Sequence, residues 1–117
     1  MERPSTILEL LSDKSRWTQH VAARDAAGEQ VCIESTLACK FCLTGALWFV
    51  YGDWSRTSDS HRKYSPSPRE AEAKAKIKAE IEKIKDEGGA TKYFTMAQLN
   101  DNGGYDAVMQ VVRAAGV

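Results

Sequence analysis

No surplus of charge marks this 117-residue sequence: 16 basic and 16 acidic side chains cancel to a formal net charge of zero. A bulk field near zero argues against a protein that tracks nucleic-acid phosphates, and equally against an acidic nucleic-acid mimic. Long hydrophobic runs are also lacking. The most apolar stretch, around Leu37 to Tyr51, is broken by Lys40 and Thr44 and falls short of the ~20 residues that a bilayer crossing needs. Met1-Glu2-Arg3-Pro4-Ser5-Thr6 has no basic region leading into an apolar core, so no secretory signal is expected. Gly88-Gly89 and Gly103-Gly104 stand outside any GxGxxG or P-loop pattern, and neither HExxH nor GxSxG occurs. Nothing here calls for a cofactor. Cysteine is scarce and odd in number. Cys32, Cys39 and Cys42 lie on or near apolar segments and read as reduced packing residues of a cytoplasmic protein, bacterial or in an infected host cell.

What is present fits one globular domain over 1–117. The chain is 43% hydrophobic and 27% charged, ordinary for a globular chain. Area scaling gives about 6,300 Å² folded against roughly 19,000 Å² extended, enough burial to fold without metal or disulfide. Ile7, Leu10 and Leu11 at i, i+3 and i+4 predict a short helix over 4–12, capped by Ser5 or Thr6. Residues 18–24 and 29–33 predict a β-hairpin turning at Gly28. Segment 36–51 predicts a central helix, apolar almost all round, starting at Ser35 or Thr36 and ending at Gly52. Gly45 within it costs about 1 kcal/mol against alanine, which points to another backbone approaching closely there.

Residues 53–68, rich in serine, proline and charge, predict a long surface loop. Ser67-Pro68 and Glu70 then predict a helix start and capping box, and the Ala-, Glu- and Lys-rich run predicts a charged peripheral helix over 69–88. Ala73, Ile77, Ile81 and Ile84 form its thin apolar edge, with Glu70–Lys74 and Glu72–Lys76 as i,i+4 pairs. Thr95 and Gln98 predict a second capping box, and residues 104–115 a final helix ended by Gly116. The fold class expected is α+β: a helix-dominated domain with one β-hairpin packed on a central apolar helix, and 53–68 with 69–88 as a peripheral insert.

Two residue sets are candidate sites. Trp48, Tyr51 and Trp54, followed by Arg56, Arg62, Lys63 and Tyr64, combine the aromatic and arginine side chains that dominate protein interfaces. The alternatives are that the loop folds back with Trp48 in the core, or that the rings stack bases. Gln19, Arg24, Asn100 and Asp101, with Trp17 and Asp25, offer a polar pocket between the hairpin and the C-terminal region, against the plainer reading of turn and cap chemistry. Cys39-Lys40-Phe41-Cys42 is a CxxC without the second pair that a zinc site needs, and is read as packing rather than metal or redox chemistry. His20 near Asp25, and His61, have no nucleophile beside them in a recognisable motif.

Trp17-Thr18-Gln19, Ala23-Arg24-Asp25 with Gly28, Cys42-x-x-Gly45-Ala46-Leu47 and Leu99-Asn100-Asp101 together resemble a family of small uncharacterised proteins of bacteria and their phages, over about residues 5–115. The resemblance implies that the Trp-Thr-Gln, Arg-Asp and Asn-Asp positions meet in space and that the Asn-Asp pair precedes a C-terminal helix. It brings no activity. The chain departs from it at Cys39 and in the 53–92 insert. The expected function is that of a non-enzymatic protein that binds another protein, for instance a component of a host defence complex, through the 69–88 helix and the aromatic loop 48–64. Nucleic acid and membrane are not expected as partners. The competing readings are a nucleotide or metabolite binder, or minor enzyme, using the polar pocket, and a zinc-stabilised module.

Overall fold

The computed structural model describes residues 3–59 and 61–117. Helix α1 (Ile7–Leu11) starts where the Thr6 hydroxyl accepts the Glu9 amide, and it buries Ile7, Leu10 and Leu11 as their spacing requires. The far end of the chain seals this start. The Val117 carbonyl accepts the Ile7 amide and, at 2.8 Å, the Tyr51 hydroxyl.

Strand β1 (Ala23–Arg24) is shorter than expected and has a different partner. It pairs antiparallel with β2 (Lys40–Phe41), in register Ala23 to Phe41 and Arg24 to Lys40. Of the expected 18–24/29–33 hairpin, the turn at Asp25, one bridge from Arg24 to Gln30 and a bond from the Val31 amide to the Ala23 carbonyl remain. The turn is held by the Asp25 carboxylate, which accepts the Ala27 and Glu29 amides, and by Gly28 at φ +87°. Beyond it the chain is drawn elsewhere. The Glu34 carbonyl accepts the Arg62 amide at 2.8 Å, and Ser35 bridges to His61.

The central helix, α2, spans Leu43–Tyr51 rather than 36–51. Residues 40–41 cannot join it, because their backbone belongs to β2 and the Phe41 carbonyl accepts the Thr18 amide at 3.0 Å. Ser35 and Thr36 therefore cap nothing here; Cys42 does, its sulfur accepting the Gly45 amide. Leu43, Ala46, Leu47, Phe49 and Val50 are buried, and Phe41 stacks on Phe49 at 4.7 Å. Gly45 has the expected neighbour: a Cβ there would lie 2.1 Å from the Ala22 carbonyl oxygen.

The expected loop 53–68 is largely a hairpin. β3 (Asp53–Arg56) pairs with β4 (Arg62–Ser65), with Trp54 opposite Tyr64. Their rings lie 5.3 Å apart, and Trp54 also meets Phe49 edge-on at 6.3 Å. A cross-strand aromatic pair facing the core outweighs the polar composition around it. A hairpin does pack on the central helix, and it is this one.

Helix α3 (Pro68–Glu82) opens at Ser67, whose hydroxyl accepts the Glu70 amide, and buries Ala73, Ile77 and Ile81 against α2 and the C-terminal helix. It stops short of 88. Residues 85–91 form a small turn in which the Asp86 carboxylate accepts the Gly88 and Ala90 amides. Helix α4 (Met96–Gln98), capped by Thr95, passes through a π turn at Leu99–Gly103 into α5 (Gly104–Ala115), which Gly116 ends at φ +71°. The fold is a single α+β unit with 6563 Å² of accessible surface, close to the value of about 6,300 Å² expected for a compact chain of this size. Among the described residues no helix is long and apolar enough to cross a membrane.

Candidate functional site

The polar set converges on Asn100, which is 1% exposed. Its Oδ1 accepts the Trp17 indole N–H at 2.8 Å and the Leu43 amide at 2.9 Å; its Nδ2 donates to the Thr18 carbonyl and to Asp101 Oδ1, both at 3.0 Å. A primary amide has two donors and two acceptor lone pairs, and all four are in use. Gln19 Nε2 donates to the Asn100 and Asp101 carbonyls. Trp17, Gln19, Asn100 and Asp101 therefore meet in space, joining the chain before β1 to the π turn and the start of α2. Arg24 forms an adjoining layer through Thr18 Oγ1, the Gly28 carbonyl and the Gln19 carbonyl. Asp25 stands apart, held in its turn.

Asp101 reaches outward. Its Oδ1 also accepts the His20 amide at 3.0 Å, and its Oδ2 lies 3.6 Å from His20 Nδ1. Burial pushes its carboxyl up, but hydrogen bonds from Asn100 and the His20 amide, with the imidazole beside it, outweigh this and hold the group below its ordinary range. His20 takes φ +71°, a backbone conformation that a side-chain-bearing residue enters only when its neighbours impose it. His20, Cys42, Thr44, Ala97 and Asp101 border a shallow hollow of about 210 Å³. Burial raises the Cys42 thiol more than the Gly45 and Thr44 amides lower it. That leaves a protonated cap, not a thiolate nucleophile. Cys39 precedes β2 while Cys42 caps α2, so the CxxC does not share one helical face. No disulfide links the three cysteines, and no cluster of three metal-ligating groups exists among the described residues.

The aromatic set is folded back on the body. Trp54 Nε1 donates to the Trp48 carbonyl, and Trp48 lies 5.9 Å from Tyr64. Arg62 sits 5.1 Å above Trp54 and 5.2 Å above Phe49 and donates to the Ser35 carbonyl. The Tyr64 hydroxyl bonds the Glu70 carboxylate; burial first, and that carboxylate second, drive its pKa far upward. Tyr51 is held by Val117 and lies under Arg69. Lys63 is exposed, and the Arg56 side chain lies outside the described residues. Of these residues Tyr51 borders a small hollow of about 120 Å³ beside Arg69 and Val117, and Trp48 borders a larger groove.

That groove lies between α2, α3 and the segment before α4. One hollow of about 290 Å³ is floored by Leu47, Trp48 and Met96, and a second of about 340 Å³ adjoins it; Lys78 and Phe94 border both. Phe94 is 75% exposed. Lys74 and Lys78, four apart on α3, edge the first hollow and make no ion pair among the described residues. Glu72 does pair with Lys76, at 3.6 Å. Glu70 does not pair with Lys74, because Tyr64 draws it inward. Glu82 and Lys85 border the second hollow, with Lys85 directed to Thr91 Oγ1. The sequence signals for this groove were an aromatic pair, Tyr93-Phe94, just before a helix cap, and a lysine-rich face of α3.

The model of a family of unknown function, DUF6197, matches residues 5–116. No curated protein and no solved structure matches the chain.

Proposed function

Because this chain belongs to the DUF6197 family, whose function is unknown, we propose a reading from geometry: it is a non-enzymatic protein that acts by binding another protein. One observation carries this. A large apolar side chain, Phe94, stands 75% exposed on the shared rim of two adjoining hollows, and exposed aromatic anchors beside apolar depressions are the usual energetic centres of protein interfaces. The contact surface is α3 with residues 91–97. The hairpin aromatics support it from beneath, with Trp48 the link between the two. The setting we propose is the cytoplasm of a bacterium or of its phage-infected form, where a small protein covers part of a host complex, such as a defence assembly.

The competing small-molecule reading has less behind it. The polar groups that it needs are bonded to one another, and the hollow beside them is shallow. The test is photo-crosslinking from a photoreactive amino acid placed at Lys85, in lysate of the source cell, with Phe94→Ser as control. We expect one protein adduct on the otherwise native chain, reduced at least tenfold by Phe94→Ser at unchanged melting temperature. Absence of any adduct, together with a metabolite that raises the melting temperature, would overturn the reading.

A further inference from the structure

The two lysines that edge the groove specify what enters it. We infer that the occupant is an acidic protein segment, with one aromatic or branched aliphatic side chain seated over Leu47, Trp48 and Met96 and carboxylates placed against Lys74 and Lys78; this rests on the protein-binding reading above.

Charge complementarity is the argument. Elsewhere on α3 and just past it two lysines are paired: Lys76 with Glu72, and Lys83 with Glu80 at 2.8 Å. Lys74 and Lys78 make no ion pair among the described residues, even with Glu82 four residues beyond Lys78. The expected partner of Lys74, Glu70, is buried under Tyr64. Lys74 and Lys78 therefore edge an apolar floor. Glu82, bordering the second hollow beside Lys78 and Lys85, is the only carboxylate on the groove wall among the described residues. Three lysines against one glutamate give the rim a positive balance on a chain whose total is zero. A basic segment would meet repulsion at this rim, and an acidic one would be attracted to it. Two hollows with Phe94 between them suit a short amphipathic segment with a central anchor.

The test is selection of a displayed random-peptide library on the immobilised full chain, followed by affinity measurement with the selected peptides in soluble form. We expect enriched sequences to carry an aromatic or branched aliphatic residue flanked by Asp or Glu. Affinity should fall at least tenfold in the Lys74→Glu/Lys78→Glu variant, and likewise in Phe94→Ser, each at the wild-type melting temperature. Peptides with the flanking acids changed to lysine should prefer the charge-reversed protein, and added salt should weaken the wild-type pair. Enriched peptides without an acidic preference, or binding unchanged by the lysine reversal, would overturn this inference and leave the protein-binding reading standing. So would sedimentation showing a dimer that Phe94→Ser dissolves, since a second copy would then fill the groove. Failure to enrich any peptide overturns the inference as well; the photo-crosslinking experiment decides the broader reading independently.

Discussion

Asn100 ties three segments together with one side chain. Its replacement by alanine leaves the Trp17 indole N–H and the Leu43 amide without an acceptor, and each buried unsatisfied group costs about 1–3 kcal/mol. We predict that Asn100→Ala loses about 3 kcal/mol of unfolding free energy in urea titration. Asp101 acts through pH. Its folded-state carboxyl lies below the ordinary 3.8. Its contribution is therefore present above that value and is lost as pH falls through the lowered folded value. Asp101→Asn should lower stability above that value and leave it unchanged in strong acid, so that the acid limb of the stability curve flattens, which denaturant midpoints across acid pH will show. At Gly45 the collision of an added Cβ with the Ala22 carbonyl, 2.1 Å away, reverses the usual helical gain of alanine. Gly45→Ala should cost more than about 2 kcal/mol, read as a lower thermal midpoint.

At the scale of elements, the hairpin β3–β4 is a wall of the core. Trp54→Ala removes a ring that touches Phe49, Tyr64 and Arg62 and should cost about 3 kcal/mol, so loss of partner binding in that variant would follow from unfolding. Ser67→Ala removes the cap of α3 and the bond to the Tyr51 carbonyl, with a cost of about 1–2 kcal/mol by calorimetry. Elements governed by local chemistry were legible in the sequence: Thr6 and α1, Ser67-Pro68 and α3, Thr95 before α4, Gly116 after α5. The close approach at Gly45 was legible too, because an unfavourable glycine inside an apolar helix needs a reason. Elements governed by distant partners were not. Residues 36–42 have helical character but are claimed by β1, Thr18 and Ala22. Residues 53–65 look like loop by composition but close around a single Trp54–Tyr64 pair. The meeting of Trp17, Gln19, Asn100 and Asp101 was implied by the family resemblance, but that they bond one another rather than line a pocket, and that Asp25 stands apart, was not. The groove was not, since Phe94 and the lysines acquire meaning only when α2, α3 and 91–97 come together.

Over the whole molecule, the two residue sets divide the work. The Trp17–Gln19–Asn100–Asp101 cluster and the Val117 clasp close the chain upon itself, and the aromatic hairpin backs the central helix. The polar cluster's groups are engaged with one another, while the exposed Phe94 ring, Lys74 and Lys78 lie along one groove. The most direct measurement is hydrogen–deuterium exchange of the full chain alone and with its photo-captured partner or a selected acidic peptide. Slowed exchange concentrated in residues 74–85 and 91–98, with 17–25 and 99–102 unchanged, is the predicted result; protection centred on 17–25 and 99–102 instead would contradict the account.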